Sequence, residues 1–321
     1  MKQLFFSIVL LLSITVYGQD SNPFDNPKTK AAIEAYRYIC FKNYSLNFLK
    51  QKHPIVEKKA MLNLSKFKVK YGKGETKIKE YLIKNIGEKK VIELQNQIQT
   101  SSEDLYKESI NWDDPKLLKL IDEIIDLEKI ENGKFERTLV GFQFNDKPIE
   151  ELNAGFLQKV VKTNEYDSQK IRWQINVPTS WESVESSVSG KIQKHFKYNY
   201  GALNIDLLVF GESFNTSKNR TIPQKELDKI FKTANTIKNG KLASKSKTII
   251  NKNEAYIFEY NLNPGEKIGD KFINTILYKG NSLYILAYSI KKSTIEQDLN
   301  VELKKYRPVF NIINNSFKFY L

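Results

Sequence analysis

Ile171-Arg172-Trp173-Gln174-Ile175-Asn176-Val177-Pro178 is the stretch whose reading decides the fold. Ile171, Trp173, Ile175 and Val177 alternate with polar residues, the period-two pattern of a half-buried strand, and Pro178 ends it. Upstream, apolar residues recur at steps of three and four; downstream they alternate or run continuously. A helical first part followed by a sheet-building second part is the reading this change of period supports.

Downstream, Ile192, Phe196, Tyr198 and Tyr200 alternate again, and Leu203 to Phe210 reads as a buried strand. Pro223 opens an amphipathic helix carrying Leu227, Ile230, Phe231, Ala234 and Ile237. Strands are expected near 243–250, 254–262, 271–279 and 282–290, the last two joined by the hairpin pair Gly280-Asn281. Ser293 with Glu296 forms a capping box for a last helix carrying Leu299, Leu303 and Tyr306, which Pro308 kinks or interrupts. Hairpins with helices between and after them predict an antiparallel sheet covered by helices, an α+β fold.

Upstream, Asn26-Pro27 is a cap followed by Pro at the first helical position, opening a helix towards Lys50. Pro54 opens a second with Met61, Leu64, Phe67 and Tyr71, expected to end at Gly72 and Gly74. Further helices are expected over 76–86 and 88–99, and Asp114-Pro115 opens one presenting Leu117, Ile121 and Ile124. These stripes pack as a bundle of four or five helices. Between the two parts, Leu139 to Phe144 reads as a strand, Ile149 to Val161 as a short helix and Asn164 to Gln169 as a linker. The expected organisation is a helical domain over 19–130, a connecting segment over 131–170 and an α+β sandwich over 171–321.

The second part resembles the PsbP-like α/β/α sandwich. Val177-Pro178-Thr179-Ser180-Trp181 stands where that family often places a Pro and a Trp after its first strand. A central helix at 223–238 divides the strands. The late strands, with Tyr256-Ile257-Phe258-Glu259-Tyr260, lead into a terminal helix ending in Ile312-Ile313 and Ser316-Phe317. Residues 19–170 resemble no family. The resemblance implies a binding or assembly subunit and carries over no functional residues.

The first eighteen residues have the anatomy of a secretory signal: Lys2, an apolar run from Leu4 to Val16, and Val16-Tyr17-Gly18 at the cleavage site. The mature chain is expected to begin near Gln19. With the signal removed, no run is apolar enough to span a bilayer. Cys40 is the single cysteine, which excludes an intramolecular disulfide, and its apolar, helical setting predicts a buried, slowly reacting thiol.

The net charge of +14 is unevenly distributed. Residues 28–99 carry 17 Lys/Arg against 6 Asp/Glu, residues 100–170 carry 10 against 16, and residues 171–321 carry 23 against 13. A solvated surface is the simpler reading, and the scarcity of Arg argues against a specific phosphate or nucleic-acid site. The sharpest basic-aromatic interleaving is Lys66-Phe67-Lys68-Val69-Lys70-Tyr71-Gly72-Lys73. Lys66, Lys68, Lys70 and Lys73 with Phe67 and Tyr71 are candidate binding residues for an anionic surface, although Leu64, Phe67 and Tyr71 at helical spacing read as core first. Trp181 is a further binding candidate.

Catalytic signals are absent from the sequence. His53 and His195 have no partner at ligand spacing; His53 reads as a surface residue and His195 as an exposed or half-buried one. The carboxylates Asp122, Glu123, Asp126 and Glu128 read as a solvated helix face. No catalytic residue, metal ligand or cofactor is assigned. The expectation is an exported, non-enzymatic binding or assembly protein of the cell envelope with a protein partner, periplasmic ahead of extracellular. A peripheral binder of anionic lipid or polysaccharide is the alternative, and a hydrolase with unrecognised carboxylates the second.

Overall fold

The computed structural model describes residues 26–126, 133–162, 172–184, 192–201, 203–213, 240–262, 270–279, 282–292 and 298–320. The expected signal at 1–18, the linker at 164–169, the helix at 223–238, the hairpin pair Gly280-Asn281 and the Ser293/Glu296 box lie outside them. The chain divides into two units, residues 1–143 and 144–321.

The first unit is helical, as the three- and four-residue spacing requires. Its elements are α1 (Pro27–Lys52), α2 (Pro54–Ile86), α3 (Glu88–Lys107), a 3-10 turn (Glu108–Asn111), α4 (Asp114–Asp126) and α5 (Lys134–Phe144). Asn26 caps α1, its side chain accepting from Lys28 N at 2.9 Å ahead of Pro27. The cap of α4 is Asp113, one residue before the expected Asp114, with its carboxylate accepting from Lys116 N at 3.0 Å. α1 is the central element and buries residues around most of its circumference, including Ala32, Tyr36, Tyr38, Ile39, Leu46 and Leu49. Buried Lys42 lies under Phe67, its Nζ 4.6 Å from the ring centroid and 3.4 Å from Tyr38 Oη.

Two expectations fail here. α2 runs unbroken through Gly72 and Gly74 to Ile86, where Gly87 at φ 88° ends it. Gly74 is a site of close approach, because a Cβ there would meet the Leu139 carbonyl oxygen at 2.5 Å. Residues 139–144 are helix, not strand: Leu139, Val140 and Phe142 are buried in α5, and Phe135 stacks on Tyr38 at 4.7 Å. Burial on several sides of a short helix hides its period.

Among its described residues, the second unit begins with α6 (Pro148–Asn153) and continues with ten strands and a helix. The strands are β1 (Leu157–Lys162), β2 (Arg172–Pro178), β3 (Glu182–Val184), β4 (Ile192–Tyr198), β5 (Leu203–Ser213), β6 (Gly240–Ile250), β7 (Asn253–Leu262), β8 (Asp270–Lys279), β9 (Ser282–Lys292) and β10 (Lys318–Tyr320); α7 (Leu299–Ser316) precedes β10. The expected helix over 149–161 therefore holds only to Asn153, and Leu157 onward pairs with β2. One antiparallel sheet has the order β1-β2-β10, and the other β3-β4-β5-β9-β8-β7-β6. The fold is α+β. β2 is buried more fully than its alternation implies, with Gln174 also enclosed, because it is the middle strand of its sheet.

α7 lies on one face of the larger sheet. Its Asn314 accepts from Tyr288 Oη at 2.8 Å and donates to Thr275 Oγ1 at 3.0 Å, both buried, and Arg307 makes a forked pair with Glu259. The N-cap of α7 is Asp298, accepting from Asn300 N and Val301 N, and the helix passes through Pro308 without a break. Phe258, Tyr260, Ile276 and Leu283 cluster on the other face of this sheet.

Candidate functional site

A buried polar cluster of the second unit forms around Glu151. Pro148 starts the short α6, placing Glu151 one turn in, 2% exposed. One carboxylate oxygen accepts from Ser180 N at 2.8 Å and the other from Ser180 Oγ at 2.7 Å, with Thr179 N a further donor. Ser180 sits in the turn after β2, closed by Trp181 N donating to Pro178 O at 3.1 Å. Gln158 of β1 braces that turn by donating to the carbonyls of Pro178 and Trp181. The carboxyl thus ties α6 to the Val177-Trp181 turn.

Burial pushes the Glu151 carboxyl up to about 7, against the pull of the Ser180 and Thr179 donors, which favour its charged form. Tyr198, Tyr200, Tyr306 and Trp181 form an aromatic wall beside it. Tyr198 lies 6.2 Å from Trp181 and 5.8 Å from Tyr306, ring to ring, and the Tyr306 hydroxyl donates to that of Tyr198 at 3.5 Å. Gly201 leaves the space those hydroxyls occupy, since a Cβ there would meet Tyr306 Oη first. Burial holds both phenols protonated. The arrangement can store one proton near neutral pH inside a closed wall. Acid-base catalysis requires contact with a reacting atom, and Glu151 at 2% exposure offers no such contact.

The binding candidates from the sequence separate. Phe67 and Tyr71 are 3% and 1% exposed, tilted against each other at 5.2 Å, and Tyr71 Oη donates to Glu136 of α5 at 2.7 Å. Neither ring presents a face to a ligand. Trp181 is 1% exposed in the second unit. Lys66, Lys68, Lys70 and Lys73 are exposed. Lys70 pairs with Glu136 at 2.9 Å on one flank of α2, and Lys68 lies on the other, towards Glu75.

The histidines also separate, one in each unit. His53 is buried, not a surface residue. Its Nε2 lies 3.4 Å from Ser109 Oγ, which donates to Tyr106 O, and burial holds the imidazole neutral. His195 is half-buried and bonds Asp206 Oδ1 at 2.7 Å across β4 and β5. Of the four carboxylates, Asp122 pairs with Lys59, Glu123 is half-buried on α4, and the Asp126 side chain and Glu128 lie outside the described residues. Among the described residues no group of three metal-binding side chains gathers, and no helix is long and apolar enough to cross a membrane. Local spacing could not reveal Glu151, because its donors arrive from 29 residues away.

No family model matches this chain, and comparison with curated proteins finds no match. Solved structures similar to it include the following two. Cyanobacterial PsbP (CyanoP) from Synechocystis sp. PCC 6803 is 15% identical, with 51% of this chain and 92% of that one covered at a TM-score of 0.36. LpqN of Mycobacterium tuberculosis, involved in cell envelope biogenesis, is 11% identical, with 54% and 96% covered at 0.35. The likeness to a PsbP-like structure is weak, and the α+β class rests on the strand order and register above.

Proposed function

We propose that the chain is an exported, non-enzymatic binding or assembly protein of the cell envelope, periplasmic ahead of released. The α+β unit is its scaffold, and the helical unit presents its contact surface. The observation that carries this reading is how the reactive side chains are used. Glu151 ties α6 to the turn after β2, His53 meets Ser109 at the foot of the bundle, and His195 bridges two strands. The outward face of α2, by contrast, carries lysines and aliphatic residues that the bundle does not bury. The leader-like residues 1–18 support export.

The test is a pull-down from solubilised envelope with the chain starting at Gln19, at low and high salt, beside a hydrolase screen. A protein partner retained at high salt supports an assembly role. Turnover that Glu151→Gln abolishes in a folded protein overturns it in favour of the hydrolase reading.

A further inference from the structure

α2 buries Val56, Ala60, Phe67, Tyr71, Ile78 and Leu82 on its inner side. The opposite side, followed at helical steps, reads Ile55, Lys58, Leu62, Lys66, Val69, Lys73. Ile55, Leu62 and Val69 are 51%, 54% and 89% exposed. Being seven residues apart, they form one line about 21 Å long. Single exposed aliphatic residues are ordinary, but three on one line, facing away from their own core, are not explained by packing. Lys58, Lys66 and Lys73 stand exposed along the same line, and none of them makes an ion pair among the described residues. No carboxylate falls on that line between Ile55 and Thr76.

We infer that this outer face of α2 docks on an anionic phospholipid membrane surface. The inference rests on the binding-protein reading and names what the contact surface meets. The mixture of groups selects lipid over other polyanions. A polysaccharide or nucleic acid engages the ammonium groups and gains nothing from Val69 or Leu62. A bilayer accepts both: the aliphatics enter the headgroup-acyl boundary, and the lysines extend along the surface to the phosphates. The excess of Lys over Asp and Glu across residues 28–99 adds attraction over about a Debye length.

The experiment is co-sedimentation of the chain starting at Gln19 with vesicles of equal parts phosphatidylcholine and phosphatidylglycerol, and with pure phosphatidylcholine. The expected result is binding to the mixed vesicles only, weakened by salt. Lys66→Glu with Lys73→Glu, and separately Val69→Asp, are each expected to lower the affinity at least about tenfold while circular dichroism stays that of the parent. Heparin binding distinguishes the sources: the lysine variant loses it, and Val69→Asp keeps it. Equal binding to both vesicle types, unchanged binding by Val69→Asp, or no binding overturns the assignment. So does a change in sedimentation state with Val69→Asp, which would assign the face to a second copy. A partner still captured at high salt in any of these cases leaves the binding-protein reading standing.

Discussion

At the scale of single residues, Glu151 has the clearest measurable consequence. Its carboxyl rises from 4.5 unfolded to about 7 folded, so between those values the folded state holds the proton more tightly. Its contribution to stability is present in full below pH 4.5 and is lost as pH rises through 7, a change of about 3 kcal/mol. Glu151→Gln, an uncharged mimic of the protonated acid, is expected to flatten this dependence and to melt above the parent at pH 8. Thermal melts of both at pH 5 and pH 8 check it, and parallel curves would refute the assignment. Cys40 is the second case. Its side chain is half-buried, not fully enclosed as expected, yet desolvation pushes the thiol up to about 11, leaving little thiolate at neutral pH. Labelling by a thiol reagent is expected to be slow in the native protein and fast in denaturant.

At the scale of elements, glycine and turn chemistry decide where helices stop and strands reverse. Gly74 sits mid-helix where the backbone of α5 passes, so Gly74→Ala sets a methyl against the Leu139 carbonyl. A loss of about 2 kcal/mol or more is expected, measured by urea unfolding. Gly72 has only the Lys68 side chain near its absent Cβ, so Gly72→Ala should be neutral or mildly stabilising in a helix interior. The β6-β7 hairpin turns on Asn251 and Lys252, both left-handed at φ 47° and 67°, where a type I′ turn needs them. Asn251 is suited to that conformation and also donates to the carbonyls of Asn315 and Phe317. Lys252 has no such compensation, and Lys252→Gly is expected to stabilise by roughly 1 kcal/mol. An unchanged urea midpoint would show that the turn tolerates the lysine freely.

At the scale of the whole molecule, two compact units predict two unfolding transitions. Only one should move with Glu151→Gln, because that carboxyl and all its donors belong to residues 144–321. Scanning calorimetry of parent and variant tests this, and a single transition shifting as a whole would reject it.

The sequence alone carried the α+β class, most strand positions and the first helix start. These features follow from local period and from capping chemistry within a few residues. Ile175 and Val177 announce a strand by alternation, and Asn26-Pro27 announces a helix start by its own hydrogen bond and fixed φ. What the tertiary structure decided is everything that depends on a distant partner. Gly74 reads as a breaker until Leu139 is beside it, and Leu139 to Phe144 read as a strand until several of their sides are buried. His53 reads as a surface residue until Ser109 covers it. Glu151 is an ordinary first-turn acid until Ser180 closes over it. The outer line of α2 was half legible: its lysines and the inward set of Phe67 and Tyr71 showed in the sequence, but only packing reveals that Ile55, Leu62 and Val69 are left outward. A helix's period says that it has two faces, and burial against its neighbours decides which one is left for solvent or a partner.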